Sequence, residues 1–280
     1  MDGDRGANLL GEHLRARREL VSPQQVGLPV TGTRRVPGLR REEVAMLAGI
    51  SAEYYLRLEQ GRDRHPSRQV LESLARVLGL ADASHLLRLA EATAAPAGRR
   101  RRSRPRREVL PASTARLVAS LPLPAFAEGR YLDVLAANSL AAAVSPRWVA
   151  GRNRLRDVFL DPAEQALFIE AERAAAALVA GFRGSVGTDV DDERVVSLVG
   201  ELSVASPWFR GLWARHDVAE RGGAPVTLDH PRVGQLELER EKLAVSGTDG
   251  IVLAVFQPRP GTDAAEKLAV LAAAAPVRGA

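Results

Sequence analysis

The sequence predicts two domains of different class, an all-α domain in the first third and an α+β domain in the remainder. Three observations carry this. The chain has 280 residues, enough for about two domains. Within residues 8–92 apolar residues recur at three- and four-residue spacing, the period of helices with one buried face. Beyond residue 112, helical stretches alternate with strand-like apolar runs, the last being the unbroken Ile251–Phe256. The segment 93–112 between them has no apolar period, carries Pro96, Gly98 and Pro105, and packs seven arginines between Arg99 and Arg107. Such a segment cannot bury enough to fold and reads as a linker. It serves either as a solvated tether or as extra nonspecific contact with phosphates. The domains are therefore placed at 8–92 and 113–273.

In the first domain a helix starts near Asn8, carries Leu9, Leu10 and Leu14, and runs to about Leu20. Ser22-Pro23-Gln24-Gln25 reads as another helix start, with Ser as cap, Pro at the first position and Gln three residues on. The polar stretch from Gly27 to Gly38 reads as a loop. Helices follow over 42–48, 52–60, 67–78 and 82–93. Only Gly49-Ile50-Ser51 joins the first two of these, and so short a connection demands closely packed helices.

In the second domain, strands over 125–128 and 131–136 flank Gly129-Arg130, which suits a tight hairpin. A short helix follows over 140–144. Asp161-Pro162-Ala163-Glu164 has the form of a capped helix start, and the helical pattern continues through Ala180. Two more helices cover 191–204 and 207–215. Strands are read at 226–228, 235–243 and 250–257, the last apolar enough to lie at the centre of its sheet. A final helix spans 263–273. Strands packed against helices make an α+β domain.

Composition narrows the function classes. Hydrophobic residues are 46% and charged residues 26%, ordinary for a globular protein. The absence of cysteine excludes a disulfide scaffold, a zinc finger, an iron–sulfur cluster and cysteine catalysis. No apolar run approaches the roughly 18 residues of a membrane span. Met1-Asp2-Gly3-Asp4 is not the basic-then-apolar start of a secretory signal, so a cytoplasmic location is expected. Residues 1–110 hold 21 arginines against 13 acids, a net of +8, whereas residues 111–280 hold 18 basic and 21 acidic residues, a net of −3. The first half suits a polyanion and the second does not.

The informative segment runs from Leu39 to Gly61. Val44, Ala45, Leu47, Ile50, Tyr55 and Leu58 fall on one packed face of two helices. Ala45 is small enough for a close crossing, Gly49 permits the sharp turn, and Ser51 caps the second helix. Ala52, Glu53, Tyr54, Leu56 and Arg57 are left on the outer face, which in a helix-turn-helix enters the major groove of DNA. Arg57 either reads a base or pairs with Glu53 one turn earlier. Tyr54 either offers its hydroxyl to a phosphate or packs.

With Leu39, Glu43-Val44-Ala45, Gly49-Ile50-Ser51 and Arg57-Leu58-Glu59-Gln60-Gly61 in place, the segment resembles the XRE-type helix-turn-helix of phage-repressor-like regulators. The longer stretches Arg35–Gly49 and Tyr54–Arg62 resemble one branch, the MmyB-like regulators. The resemblance implies that Arg40 and Arg41, at the start of the first motif helix, hold phosphates. It also implies that Ser51, Ala52, Glu53, Tyr54, Leu56 and Arg57 form the DNA-reading end of the second helix, and that Arg62, Arg64 and Arg68 grip backbone again. Arg68 is otherwise a solvated helix residue. A Glu accepts from cytosine N4, an Arg binds guanine O6 and N7, and a Leu meets a thymine methyl.

The resemblance continues through Tyr131–Asn138, Asn153–Pro162, Ser206–Val218 and His230–Leu238, and implies a PAS-like second domain that binds a small, often fatty-acid-like ligand. Ala137 stands where such relatives commonly carry Trp, which implies a larger or reshaped pocket. Asn138, Trp208, Phe209, Trp213 and His216 are the ligand candidates. Their alternative is an ordinary core, with His216 and His230 as satisfied structural histidines. No metal-ligand spacing appears. Gly184-Ser185-Val186-Gly187 is not a nucleophile elbow, and Gly181, Gly184 and Gly187 form no phosphate loop. The expectation is a DNA-binding regulator and not an enzyme, with no cofactor and no metal, whose partners are a double-stranded operator, a small hydrophobic ligand and a second copy of itself, and no membrane. The rivals for the second domain are a dimerisation or protein-interaction module and, more remotely, a small-molecule enzyme.

Overall fold

The computed structural model describes residues 8–29, 36–80, 82–94, 108–187, 189, 192–218 and 223–274; most of the arginine-rich linker and the middle of the 27–38 loop lie outside these. The chain divides into two compact units, one comprising Met1–Ser103, Gly187–Asp191 and Trp213–Asp217 and the other Arg104–Val186, Asp192–Leu212 and Val218–Ala280.

The first unit is helical: α1 (Leu9–Leu20), α2 (Arg41–Ala48), α3 (Ala52–Glu59), α4 (Arg68–Val77) and α5 (Ser84–Ala94). Local chemistry sets the ends. The side chains of Asn8, Ser51 and Ser67 accept from the backbone N–H groups of Gly11, Tyr54 and Val70, satisfying donors that a helix start leaves unpaired. Ser22–Gln25 forms its capping box, but only one 3-10 turn follows, over Pro23–Val26. Gly27 then turns left-handed at φ 74° and the N–H of Leu28 folds back to Pro23 O at 2.9 Å, so the start does not propagate. The core holds Leu10, Leu14, Leu39, Val44, Tyr55, Leu58, Leu71, Leu74 and Leu86, all essentially without exposure. Helices α1 and α3 approach backbone to backbone: a Cβ on Gly11 would meet Glu59 O at 2.3 Å, so only glycine allows this crossing.

The second unit begins with α6 (Ala112–Ser120), then β1 (Ala125–Glu128), β2 (Val134–Ala137), α7 (Ser139–Val144), α8 (Arg154–Leu160), α9 (Pro162–Leu167), α10 (Ala171–Val186), α11 (Glu193–Ala205) and α12 (Pro207–Ala214). Strands β3 (Ala224–His230), β4 (Gly234–Ala244) and β5 (Val252–Pro258) and helix α13 (Ala264–Ala273) complete it. The five strands make one antiparallel sheet in the order β2-β1-β5-β4-β3. The continuously apolar β5 is central, as its sequence requires. Alternation sorts its residues: Ala254 and Phe256 join Phe126, Leu236, Leu238 and Trp148 in one apolar cluster, while Leu253 and Val255 join Ala125, Ala127 and Val118 of α6 in another. Trp148 stacks on Phe256 at 4.5 Å between ring centroids.

Three expectations are corrected here. The β1–β2 connection is not a two-residue hairpin, because β2 starts only at Val134, which pairs with Glu128. Tyr131 leaves the strand to bury its ring and donate its hydroxyl to Asp192 Oδ2 at 2.7 Å, and Asn153 Nδ2 holds Tyr131 O at 2.8 Å. Leu132 adopts φ 63°, a strained conformation for a branched residue, offset by its complete burial. The helix begun at Pro162 does not run through Ala180. Phe168 bridges Leu228 of β3 and the N–H of Ile169 donates to Thr227 O at 3.2 Å, so the chain trades helical bonds for sheet bonds and restarts as α10. Finally, residues 112–120 fold as α6 where linker was expected to end and no helix was read.

Candidate functional site

In the first unit, α2 and α3 meet at Gly49, whose φ of 71° is one that glycine adopts freely. Ser51 Oγ accepts from the N–H of Tyr54 at 3.1 Å, fixing the first turn of α3. Opposite the buried Tyr55 and Leu58, the side chains of Ser51, Ala52, Glu53 and Arg57 are exposed. Tyr54 and Leu56 are half-buried, not fully outward as the helical wheel implied. Tyr54 packs against the core with the Arg57 guanidinium 5.7 Å from its ring centroid. Burial, and then the charge of Asp63, push its pKa above the ordinary value, so its hydroxyl remains a donor. Arg57 Nη1 meets Glu53 Oε1 at 3.3 Å, with Glu53 81% exposed; a pair this open is worth little and separates easily.

Cations flank this face. Arg40, Arg62 and Arg64 are exposed. Arg68 is exposed too and pairs with Glu72 at 2.8 Å. Arg41 is different. Its Nε donates to Glu59 Oε2 at 2.6 Å, while Arg18 Nε donates to Oε1 of the same carboxylate at 2.6 Å. Arg18 also donates to Leu39 O at 3.0 Å. Burial would raise the Glu59 pKa, but hydrogen bonds and charge from Arg18 and Arg41 outweigh it and hold the carboxyl below its ordinary value. Sequence reasoning passed over Glu59. The signal was there: an acid one turn after Tyr55 and adjacent to Leu58, on the buried stripe of α3.

In the second unit a groove of about 970 Å³ lies between α7, the turn after it, the start of α9, the β3–β4 turn and the end of α13. Its wall is mainly small and apolar, with Ala137, Ala142, Ala143, Val144 and Leu167. Asn138, Ser145, Arg147, Glu164, His230 and Arg232 supply polar groups. Several of these are already committed. Asn138 Oδ1 accepts from the N–H groups of Ala141 at 2.8 Å and Ala125 at 3.2 Å, and its Nδ2 donates to Leu123 O at 2.7 Å and Leu121 O at 3.2 Å. His230 Nε2 lies 3.0 Å from Ala143 O and its Nδ1 accepts from the N–H of Arg232 at 3.2 Å, which selects the Nε2–H tautomer. Buried Glu164 accepts from Ser145 Oγ at 2.6 Å, Trp148 Nε1 at 2.9 Å and Arg154 Nη1 at 2.9 Å.

Of the ligand candidates read from sequence, Asn138 alone borders this groove, and it is a clamp within the fold. Trp208 and Phe209 pack edge-on against Phe159, each at 5.1 Å, and Phe209 is fully buried. Trp213 sits in the last turn of α12 and His216 beyond it at φ 55°; neither lines the groove. Ala137 does line it. Sequence reasoning missed Ser145, Arg147, Glu164 and Arg232, which come together only when the turn after α7, α9 and the β3–β4 turn converge. Among the described residues no group of three or more His, Asp or Glu side chains is placed to hold a metal ion, and no helix is long and apolar enough to cross a membrane.

Comparison with known families follows the same division. Residues 9–89 match the family described as Helix-turn-helix domain. Residues 110–271, more than half of the chain, match the family described as MmyB-like transcription regulator ligand binding domain. No curated protein matches the chain.

Proposed function

We propose, for a chain that belongs to the MmyB-like transcription regulators, that the first unit reads a specific operator with the exposed end of α3 and that the second senses a small hydrophobic ligand. The observation that carries the first part is the division of α3 into a buried face of Tyr55, Leu58 and Glu59 and an exposed face of Ser51, Ala52, Glu53 and Arg57. On DNA the weak Glu53–Arg57 pair opens, Glu53 accepting from cytosine N4 and Arg57 donating to guanine O6 and N7, with Leu56 near a thymine methyl. Arg40, Arg41, Arg62, Arg64 and Arg68 hold phosphates; such contacts position the protein without specifying sequence. Two copies of the chain would read half-sites about 10–10.5 base pairs apart, in the cytoplasm.

The groove supports the second part. Its volume of about 970 Å³ is that of a small-molecule site, and an apolar wall with few polar groups suits a hydrophobic ligand, of which a fatty-acid-like one is an instance. The internal engagement of Asn138 and His230 favours apolar contact over polar recognition there. The test is to denature freshly purified protein and analyse its organic extract by mass spectrometry. A stoichiometric metabolite is expected. A clean extract, repeated at high protein load, would replace the sensor with a plain dimerisation module.

A further inference from the structure

Along α8 and its caps, Asn153, Arg156, Asp157, Leu160 and Asp161 stand at positions i, i+3, i+4, i+7 and i+8, the spacing of one helix face. With Gly151, Arg152 and Pro162, that face walls a hollow of about 380 Å³. The hollow shares no lining residue with the groove. Its wall is fixed by the neighbouring sheet edge: the N–H of Gly151 donates to Val134 O at 2.9 Å, and Arg152 O accepts from the N–H of Val134 at 2.8 Å. Asn153 Oδ1 caps α8 through the N–H of Arg156 at 3.2 Å, while its Nδ2 donates to Tyr131 O at 2.8 Å. A site so held is organised before anything enters it.

Charge around the hollow is matched. Arg152 Nη2 donates to Asp157 Oδ1, Arg156 holds Glu201 through two bonds at 2.8 and 2.6 Å, and Arg147 pairs with Asp161. An ionised ligand of either sign would find its natural partners taken. Hydrogen bonding is not matched. Asp157, 2% exposed, is the most deeply buried residue of the wall, and its Oδ2 has no hydrogen-bond partner among the described residues. Arg152 Nε is buried and unpartnered in the same way. Burial pushes the Asp157 carboxyl above its ordinary pKa in spite of the hydrogen bond and charge of Arg152, as a carboxylate still short of a donor requires. A buried acceptor and a buried donor left unfilled are each costly, and each calls for an explanation. A hydroxyl answers both needs, since its one oxygen donates and accepts. Leu160, 41% exposed, and Pro162 add apolar surface at the same wall, which suits the C–H face of a hydroxylated ring. The volume is at the lower end of small-molecule sites, that of a single ring.

We infer that the hollow beside α8 is a binding site for a small neutral polyhydroxy compound of monosaccharide size, Asp157 Oδ2 accepting from one hydroxyl and Arg152 Nε donating to one. This site is separate from the groove, and the inference goes beyond the reading of the groove without depending on it.

The test is saturation-transfer NMR on the full chain with D-glucose, D-ribose and myo-inositol, each titrated singly, and with D-glucuronate and D-glucosamine as charged analogues. At least one neutral compound is expected to give a saturable signal with a Kd in the millimolar range or below, and neither charged analogue should bind more tightly than it. Asp157→Val should weaken that binding at least about tenfold, the loss of a hydrogen bond to a charged group. The variant should stay folded, because the partner it deprives, Arg152, is 42% exposed and can turn to water. No saturable signal from any neutral compound would mean that the hollow holds water only, and would overturn the inference. Undiminished binding in Asp157→Val, or a preference for a charged analogue, would overturn it too. None of these outcomes bears on the groove, which the organic extract tests by itself. Should Asp157→Val fail to fold, Arg152→Met should show the same loss, and unchanged binding in that variant would overturn the inference.

Discussion

Arg41 and Glu59 are joined by a 2.6 Å hydrogen bond from Nε to Oε2, with the arginine 43% exposed and the carboxylate buried. The bond ties the first turn of α2 to the last turn of α3. It also orients a half-exposed cation beside the face of α3 proposed to read DNA, so that its terminal N–H groups would be placed for the proposed phosphate contact. The proposed phosphate contact would put structural and binding roles on one side chain, and a variant at this position should then change both.

Arg41→Ala should weaken binding to all DNA sequences alike and reduce the slope of log K against log salt by about 1. It should also lower stability by about 1 kcal/mol, a modest figure because the pair is partly screened by solvent and Arg18 still holds Glu59. Fluorescence anisotropy over a salt series and urea melts measure the two effects. An unchanged salt slope would count against the phosphate contact.

Replacing the carboxylate is more damaging. Glu59→Leu leaves the buried Arg18 with only the exposed Glu19 at 3.8 Å and the Leu39 carbonyl, and should cost about 3 kcal/mol, the low end of the penalty for breaking a buried pair. The pH dependence has a definite sign. Glu59 is held below its ordinary pKa, so the stability it contributes is complete above the unfolded-state value of about 4.3. That contribution is lost as pH falls through the lower folded value. The gap in urea midpoint between the parent chain and Glu59→Gln should therefore be constant from pH 7 to 5 and narrow below about pH 4. A gap independent of pH down to 3 would contradict the assignment.

At the outer face the expected pattern is the reverse. The double variant Glu53→Ala, Arg57→Ala removes an exposed pair, so stability should change by no more than about 0.5 kcal/mol. Operator preference should drop by about 10- to 100-fold, while most nonspecific affinity persists. Competition binding with operator and scrambled duplexes checks this, and undiminished preference would mean that another part of α3 reads the bases.

Ala137→Trp would project an indole into the groove from its β2 wall. With open space before it, the fold should survive with Tm within a few degrees of the parent. The metabolite recovered in the organic extract should fall at least tenfold. Full recovery would place the ligand outside the groove.

What could be read from the chain alone was what neighbours in sequence decide. Asn8, Ser51 and the Asp161-Pro162 start each cap a helix through donors two or three residues away, and Gly49 turns through its own backbone freedom. The exposed face of α3 follows from its period. Other features depend on distant partners. Phe168 interrupts a well-formed helical pattern because Leu228, sixty residues on, offers it a place beside β3. Tyr131 leaves its strand for Asp192. Glu59 is recognisable as the centre of an ion cluster only once α1 and α2 bring Arg18 and Arg41 to it. The aromatic residues of α12 met the compositional expectation of a pocket but found Phe159 to pack against, whereas the groove is walled by alanines that carry no distinguishing chemistry of their own.

The four hydrogen bonds of Asn138 also bear on how the second unit opens and closes. One amide holds Leu121 and Leu123 on the approach to β1, the first residue of β1 and the first turn of α7. None of these can be released singly without stranding a polar group. The start of β1 and the short helix α7 therefore make and break together, as a single exchange unit. The amide protons of Ala125 and Ala141, sixteen positions apart, should keep common time with solvent deuterium.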